Sequence, residues 1–241
     1  ALPPSLTTIH YGAFSGCTSL TSIALPPSLT IINDGAFDGC TSLRSVLVPT
    51  SSNGSFHNFH SLLATAPYAY DFVDLAIKLH PQQLKEADEH GNLPLHIAAS
   101  TLRDCNKTEL IEKIIHAYPE AVKVANNEGN LPLHILISSS KCHVEDIDVL
   151  LAVFPEAAKV PNNDGKFPLF LALESKKKWR NGVEKLLNAF PAVTMETDKD
   201  TNLYPFMTAA SEESGSCCLD SIYSLLLTRP EMNAFYRAKK V

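Results

Sequence analysis

Prolines return at a fixed interval through most of this chain, and that interval limits the possible folds more than any other feature. Pro94, Pro132, Pro168 and Pro205 are separated by 38, 36 and 37 residues. Each sits in a similar phrase. The copies are Gly91-Asn92-Leu93-Pro94-Leu95-His96, Gly129-Asn130-Leu131-Pro132-Leu133-His134, Gly165-Lys166-Phe167-Pro168-Leu169-Phe170 and Asn202-Leu203-Tyr204-Pro205-Phe206-Met207. A second series, Pro81, Pro119, Pro155, Pro191 and Pro230, is spaced by 38, 36, 36 and 39. Self-similarity at this period marks a stacked repeat architecture, because one such unit cannot bury its apolar face without neighbours.

The residues ahead of the second series say what each unit is made of. Before Pro119, Pro155, Pro191 and Pro230 stand Ile111, Ile114 and Ile115, then Ile147, Leu150 and Leu151, then Val183, Leu186 and Leu187, then Ile222, Leu225 and Leu226. Offsets of 0, 3 and 4 lie on one face of an α-helix. The proline then ends that helix, since the residue before it is pushed out of the α region. The opening phrase reads as a turn followed by a helix start. Gly91, Gly129 and Gly165, with Asn202 in the fourth copy, take a positive φ. The proline then occupies the first helical position, where its missing N–H costs nothing. Each unit is therefore predicted to be a short helix, a loop, a longer helix ending at proline, and an extended connection such as Glu120-Ala121-Val122-Lys123-Val124.

The first part of the chain repeats differently. Residues 1–23 and 24–46 are identical at 17 of 23 positions, and a third copy begins at Leu47-Val48-Pro49 before dissolving into Thr50-Ser51-Ser52. Its apolar runs are too short for helices and read as one short strand per rung of a β-solenoid. Rungs about 4.8 Å apart would set Phe14 over Phe37 and Leu20 over Leu43. Cys17 and Cys40 fall at the same place in the two rungs, and a buried thiol ladder is the expectation there rather than a bridge.

Two resemblances follow from these residues. The Gly-Ala-Phe-x-Gly-Cys-x-Ser-Leu core at 12–20 and 35–43 resembles BspA-like leucine-rich repeats, which implies a solenoid that contacts ligands or proteins. The phrase at 91–99 and 129–134, with the long-helix face, resembles ankyrin repeats. That likeness implies helix pairs that bind partners through turn tips and the short-helix face. By position those residues are His90, Asn92, Glu128, Asn130, Asp164 and Lys166 on the tips, with Ser100, Ser138 and Glu174 on the short helices. Ankyrin repeats usually carry Thr before Pro-Leu-His. Leu93, Leu131, Phe167 and Tyr204 stand here instead, so that hydroxyl cap is absent.

Other functional classes find little support. A net charge of −6 argues against binding a nucleic-acid backbone, and no apolar run has the length of a membrane span. Six cysteines without CxxC spacing fit a reduced, cytoplasmic protein rather than a disulfide scaffold. No nucleophile, phosphate-loop or metal motif occurs. His96 and His134 sit at one repeat position that Phe170 and Met207 fill in later copies, so they are expected to bond turn backbone. The carboxylates Glu109, Glu112, Glu145, Asp146 and Glu184 read as a solvated face near helix starts. Lys176-Lys177-Lys178-Trp179-Arg180 reads as a loop, with Trp179 as a possible contact for a partner's acidic surface.

The fold expected is a mainly α repeat solenoid of ankyrin-like helix pairs with a short N-terminal β-solenoid of leucine-rich-repeat type. The β part covers residues 1–50 and the helical part 56–241, about five units, the first of which (about 56–87) lacks the phrase and acts as a cap. The function expected is a non-catalytic scaffold that binds another protein and needs no cofactor. The chain opens at Ala1 inside a repeat, as a fragment would. Hence the alternative is a targeting arm of a larger kinase or ubiquitin-ligase type of enzyme. An extracellular surface protein is a further possibility.

Overall fold

Short apolar runs cut off by Pro-Pro and Gly turns can satisfy their backbones only by pairing with the next copy of themselves. In the computed structural model they form β1 (Thr8–Ile9), β2 (Ser22–Ala24), β3 (Ile31–Ile32) and β4 (Ser45–Leu47). β1 pairs with β3 and β2 with β4, both in parallel, with Thr8 opposite Ile31 and Ile23 opposite Val46. Each rung thus carries two short strands where alternation had led to one. Strands of two or three residues are too short to show a period in the sequence. The Phe14 and Phe37 rings stack as expected, with centroids 5.1 Å apart and 7° between planes. Ile9, Ile23, Leu25, Ile32 and Leu43 are buried. The expected buried thiol ladder is not formed. Cys17 is exposed, Cys40 is half-buried, and both are unbridged. They follow the turn glycines at 16 and 39 and so lie at the rim of the coil.

The structure describes residues 2–26, 28–29, 31–33, 35–43, 45–47, 77, 81–100, 107–139, 142–175, 177, 182–211 and 219–228. They divide into two compact units, Ala1–Val124 and Ala125–Val241. The expected boundary between 50 and 56, most of the capping unit and Trp179 lie outside the described residues.

In the first unit the strands are followed by α1 (Pro94–Ser100) and α2 (Lys107–Ala117), which pack on each other. Ile111, Ile114 and Ile115 form the buried face of α2. The second unit holds three such pairs: α3 (Pro132–Ser138) with α4 (Val144–Val153), α5 (Pro168–Glu174) with α6 (Val183–Ala189), and α7 (Pro205–Ser211) with α8 (Leu219–Leu227). The short helices stack in order, α3 on α5 and α5 on α7, and the long helix α4 packs on α6. Ile147, Leu150, Val183, Leu186, Leu187 and Leu225 are buried, as the helical spacing requires.

The connections expected to be extended are 3₁₀ helices, at Pro81–Lys85, Pro119–Lys123, Pro155–Lys159 and Pro191–Met195. Proline presets the first φ of each. The residue before it has extended φ values, −146° at Tyr118, −139° at Phe154 and −142° at Phe190, which breaks the preceding helix where the sequence says it should. Winding tightly lets the small pair Ala157 and Ala158 face inward, so this segment touches α4 before it and α5 and α6 after it. Side chains three apart eclipse in a 3₁₀ helix, which brings Lys123 to Glu120 at 3.0 Å and Lys159 to Glu156 at 2.7 Å. These exposed pairs add little stability.

Candidate functional site

The turns ahead of the short helices are built on one residue that the proline spacing does not single out. Asp88, Asn126 and Asn162 each stand three positions before the turn glycine. Asp88 Oδ1 accepts the N–H groups of His90 at 2.9 Å and Asn92 at 2.8 Å. Asn126 Oδ1 accepts those of Glu128 at 3.0 Å and Asn130 at 2.9 Å, and Asn162 Oδ1 accepts that of Lys166 at 2.9 Å. Backbone bonds close the same loop, from Gly129 N–H to Asn126 O and from Asn126 N–H to Asn130 O. A short carboxylate or amide folding back on its own turn is what Asp and Asn do best. The recurrence of Asp or Asn at Gly minus three was the signal in the sequence for this wiring.

In the fourth turn Asp198 takes that place, but the turn is one residue longer. Asn202 N–H reaches Asp198 O, and Asp198 N–H reaches Leu203 O. Asn202 is the one non-glycine residue with a positive φ among those described, at 56°. Asp198 Oδ1 accepts from the N–H and the hydroxyl of Thr201, both at 2.8 Å, and from Asp200 N–H at 3.1 Å. Burial pushes the Asp198 carboxyl up, but the bonds from Thr201 and Asp200 and the charge of Lys166 outweigh it and hold the group below its ordinary value. A depressed pKa stabilises the fold above the unfolded value near 3.9, and that contribution is lost as pH falls through the lower, folded value. Asp198→Asn keeps the acceptor, as Asn126 and Asn162 do, and removes only the charge. Denaturation of this variant below about pH 4 should therefore depend less steeply on pH than that of the parent.

The two histidines of the phrase reach back to the backbone at the start of their own helix. His96 Nδ1 accepts Leu93 N–H at 3.0 Å and His134 Nδ1 accepts Leu131 N–H at 3.1 Å. Both rings are buried. Each takes up a donor that the helix start would otherwise leave without an intrahelical partner, in place of the missing hydroxyl cap. Phe170 fills the same position with an apolar ring of zero exposure, whereas Met207 is 38% exposed.

Placement divides the expected contact residues. His90, Ser100, Glu128, Ser138 and Asp164 are exposed, and Asn92, Asn130, Lys166 and Glu174 are half-buried. Asn130 is committed to the structure at both ends of its amide. Its Nδ2 donates to Glu128 Oε2 at 2.9 Å, and its Oδ1 accepts from Asn162 Nδ2 at 3.0 Å. Asn163 adds two further links to the same neighbour, from its N–H to Glu128 O at 3.1 Å and from Nδ2 to Asn127 O at 3.0 Å. Lys166 and Glu174 meet at 2.6 Å, with Asp200 of the next turn at 3.7 Å from the same ammonium. The Glu174 hydrogen bond, against some loss of hydration, holds the Lys166 pKa above its ordinary value. Lys177 of the basic run is also used internally, donating to Ser139 O at 2.6 Å.

The carboxylates expected on a solvated face are not all there. Glu109, Glu112, Glu145 and Glu184 are exposed, but Asp146 is fully buried, with His143 N–H 3.4 Å from its Oδ2 at the start of α4. As the third residue of that helix, it faces the bare N–H groups of the first turn. Among the described residues no group of three His, Cys, Asp or Glu side chains is placed to hold a metal ion. Among the same residues no helix is long and apolar enough to cross a membrane.

Comparison with known families bears on the paired rungs. Residues 1–63 match the family model described as BspA type leucine-rich repeat region (6 copies). The N-terminal segment is similar to BspA-type repeats. The match runs on to residue 63, past residue 50 where the apolar alternation fades, and it leaves out the helix pairs from Pro94 onward. No curated protein matches the chain.

Proposed function

We propose that this chain is a non-catalytic protein-interaction scaffold in which BspA-type repeats precede a diverged ankyrin-like array. The partner would be another protein, read by the turn tips and adjoining short helices. One observation carries the reading. Asp88, Asn126 and Asn162 each brace their turn by accepting the N–H four residues on, and each braced turn carries an exposed side chain, His90, Glu128 and Asp164 in order. Rigid backbone that presents varied side chains is what a recognition surface needs, because little conformational freedom is then lost on binding.

The chemistry of the tips selects the partner. Glu128, Asp164 and Asp200 are exposed acidic residues on three consecutive turns of the second unit, which suits a basic protein surface. Rim charges of this kind act mainly on the rate of encounter and respond to salt. The reducing cytoplasm is the compartment we propose for such a scaffold, where cysteines outside a disulfide framework stay as thiols.

Affinity capture from the native host with the intact chain, beside Glu128→Lys/Asp164→Lys, tests the proposal. Proteins retained by the parent should be lost with the double variant, and their retention should weaken as ionic strength is raised. Equal capture by both forms would sink the reading.

A further inference from the structure

Cys17 and Cys40 occupy the same place in consecutive rungs, and the rungs are tied together beside that place. Phe14 N–H bonds Ala36 O at 2.8 Å and Gly16 N–H bonds Asp38 O at 2.7 Å. A β-carbon built on Gly39 would stand 3.4 Å from Gly16 N and 3.5 Å from Gly16 Cα. The two backbones therefore run side by side one residue before both cysteines, with room for no more than a β-carbon between Gly39 and Gly16. Cys40 Sγ lies 3.1 Å from Phe14 O, so its S–H donates into the rung that carries Cys17. Residues in register on adjacent parallel strands have Cα atoms about 4.8 Å apart, inside the roughly 4.4–6.8 Å span over which a disulfide closes.

The two thiols differ in access. Cys17 is exposed and Cys40 is half-buried. Burial, with the neighbouring Cys17 thiol, pushes the Cys40 pKa up. A reagent from solution meets Cys17 first, and Cys40 waits beside it as the resolving thiol.

We propose that Cys17 and Cys40 form a reversible thiol–disulfide modification site, oxidised by small disulfides of the glutathione class to a bridge between the rungs. The Cys17 thiolate attacks one sulfur of RS–SR. That S–S bond breaks, Cys17–S–S–R forms, and RS⁻ leaves and is protonated. Cys40 then loses its proton to solvent and gives up its bond to Phe14 O. Its thiolate attacks the Cys17 sulfur, Cys17–S–S–Cys40 forms, and the second RS⁻ leaves. In sum, two protein thiols are oxidised and one small disulfide is reduced to two thiols.

The test uses the whole reduced chain, incubated with glutathione disulfide in native buffer and in concentrated urea. Unreacted thiols are alkylated, and the chain is digested with a protease that cleaves before aspartate. Cleavage before Asp34 and Asp38 puts Cys17 and Cys40 on separate peptides. In native buffer the linked Cys17–Cys40 pair should exceed the Cys17–glutathione adduct by ~10-fold or more, because the second thiol is already in place. Dithiothreitol should remove the link, and Cys40→Ser should stop at the Cys17 adduct. A parent chain with the Cys17 adduct but no link, with both thiols unreacted, or with as much link in urea as in native buffer would overturn the proposal. The parent comparison decides the matter alone if Cys40→Ser does not fold.

Discussion

Replacing Phe170 by alanine should cost the second unit about 4 kcal/mol, the range found when a buried phenylalanine is cut back to its β-carbon. The ring has zero exposure and is the largest fully buried side chain among the described residues. It lies on α5, which packs on α3, α6 and α7, so the void would open where three helices meet. Deleting the ring loses both its transfer free energy and its contacts, and the walls close only partly. Met207 has the same position in the next unit but is 38% exposed, so Met207→Ala should cost well under about 1 kcal/mol. Urea titration of the two variants against the parent checks this directly. Equal losses would mean that Met207 is packed as deeply as Phe170, against the difference in exposure.

The Gly129→Ala exchange should cost about 3 kcal/mol, from two sources that add. Gly129 has φ = 75°, a left-handed conformation that L-residues with a side chain hold at a penalty. The added β-carbon would also stand 2.7 Å from the backbone nitrogen of Asn163, and close to its carboxamide as well. Backbone cannot swing away there, since Asn163 N–H is bonded to Glu128 O at 3.1 Å. Gly165 isolates the first source. Its φ is 81°, but the atoms nearest to a β-carbon there belong to the Lys199 side chain, which is flexible. Gly165→Ala should therefore cost about 1–2 kcal/mol, the conformational part alone. Thermal unfolding of the pair measures the difference between strain and collision. A Gly129→Ala loss no greater than that of Gly165→Ala would show that the turns are not in contact as described.

The sequence made those parts of the architecture legible that depend on neighbours within a few residues. Proline after Tyr118, Phe154 and Phe190 ends each long helix by a local steric clash, and the apolar offsets within each helix fix its inner face. The left-handed turns were readable for the same reason, at Gly91, Gly129 and Gly165 and even at Asn202. The Phe14–Phe37 stack needed only the repeat length. What escaped were features set between units or by fine winding. The Asp and Asn braces leave only a faint mark, Asp or Asn recurring three positions before the turn glycine within a row of polar residues. Asn130 read as a tip residue facing solvent, and only the lateral offset of the stack brings Asn162 onto its carbonyl oxygen. Asp146 read as solvated because its helix position permits it, whereas its burial depends on which face α4 turns inward. The 3₁₀ segments read as extended in the sequence because a five-residue stretch between proline and a polar turn has no period to reveal its winding.

The links between the second and third turns have a direction. In three lateral bonds the donor stands on the third turn, at Asn162 and Asn163, and the acceptor on the second, at Asn127, Glu128 and Asn130. These two units are therefore joined like plug and socket, with the side-chain amides of the third turn as the plug. The fourth turn carries Asp198 and Lys199 there instead. A carboxylate has no hydrogen to donate, and the lysine lays its hydrocarbon stem against Gly165. The coupling changes at that junction from a neutral amide latch to a charge contact between Lys166 and Asp200. Neighbouring repeats in this array are thus not interchangeable parts. Their order is written into which side of each turn gives hydrogen and which side receives it.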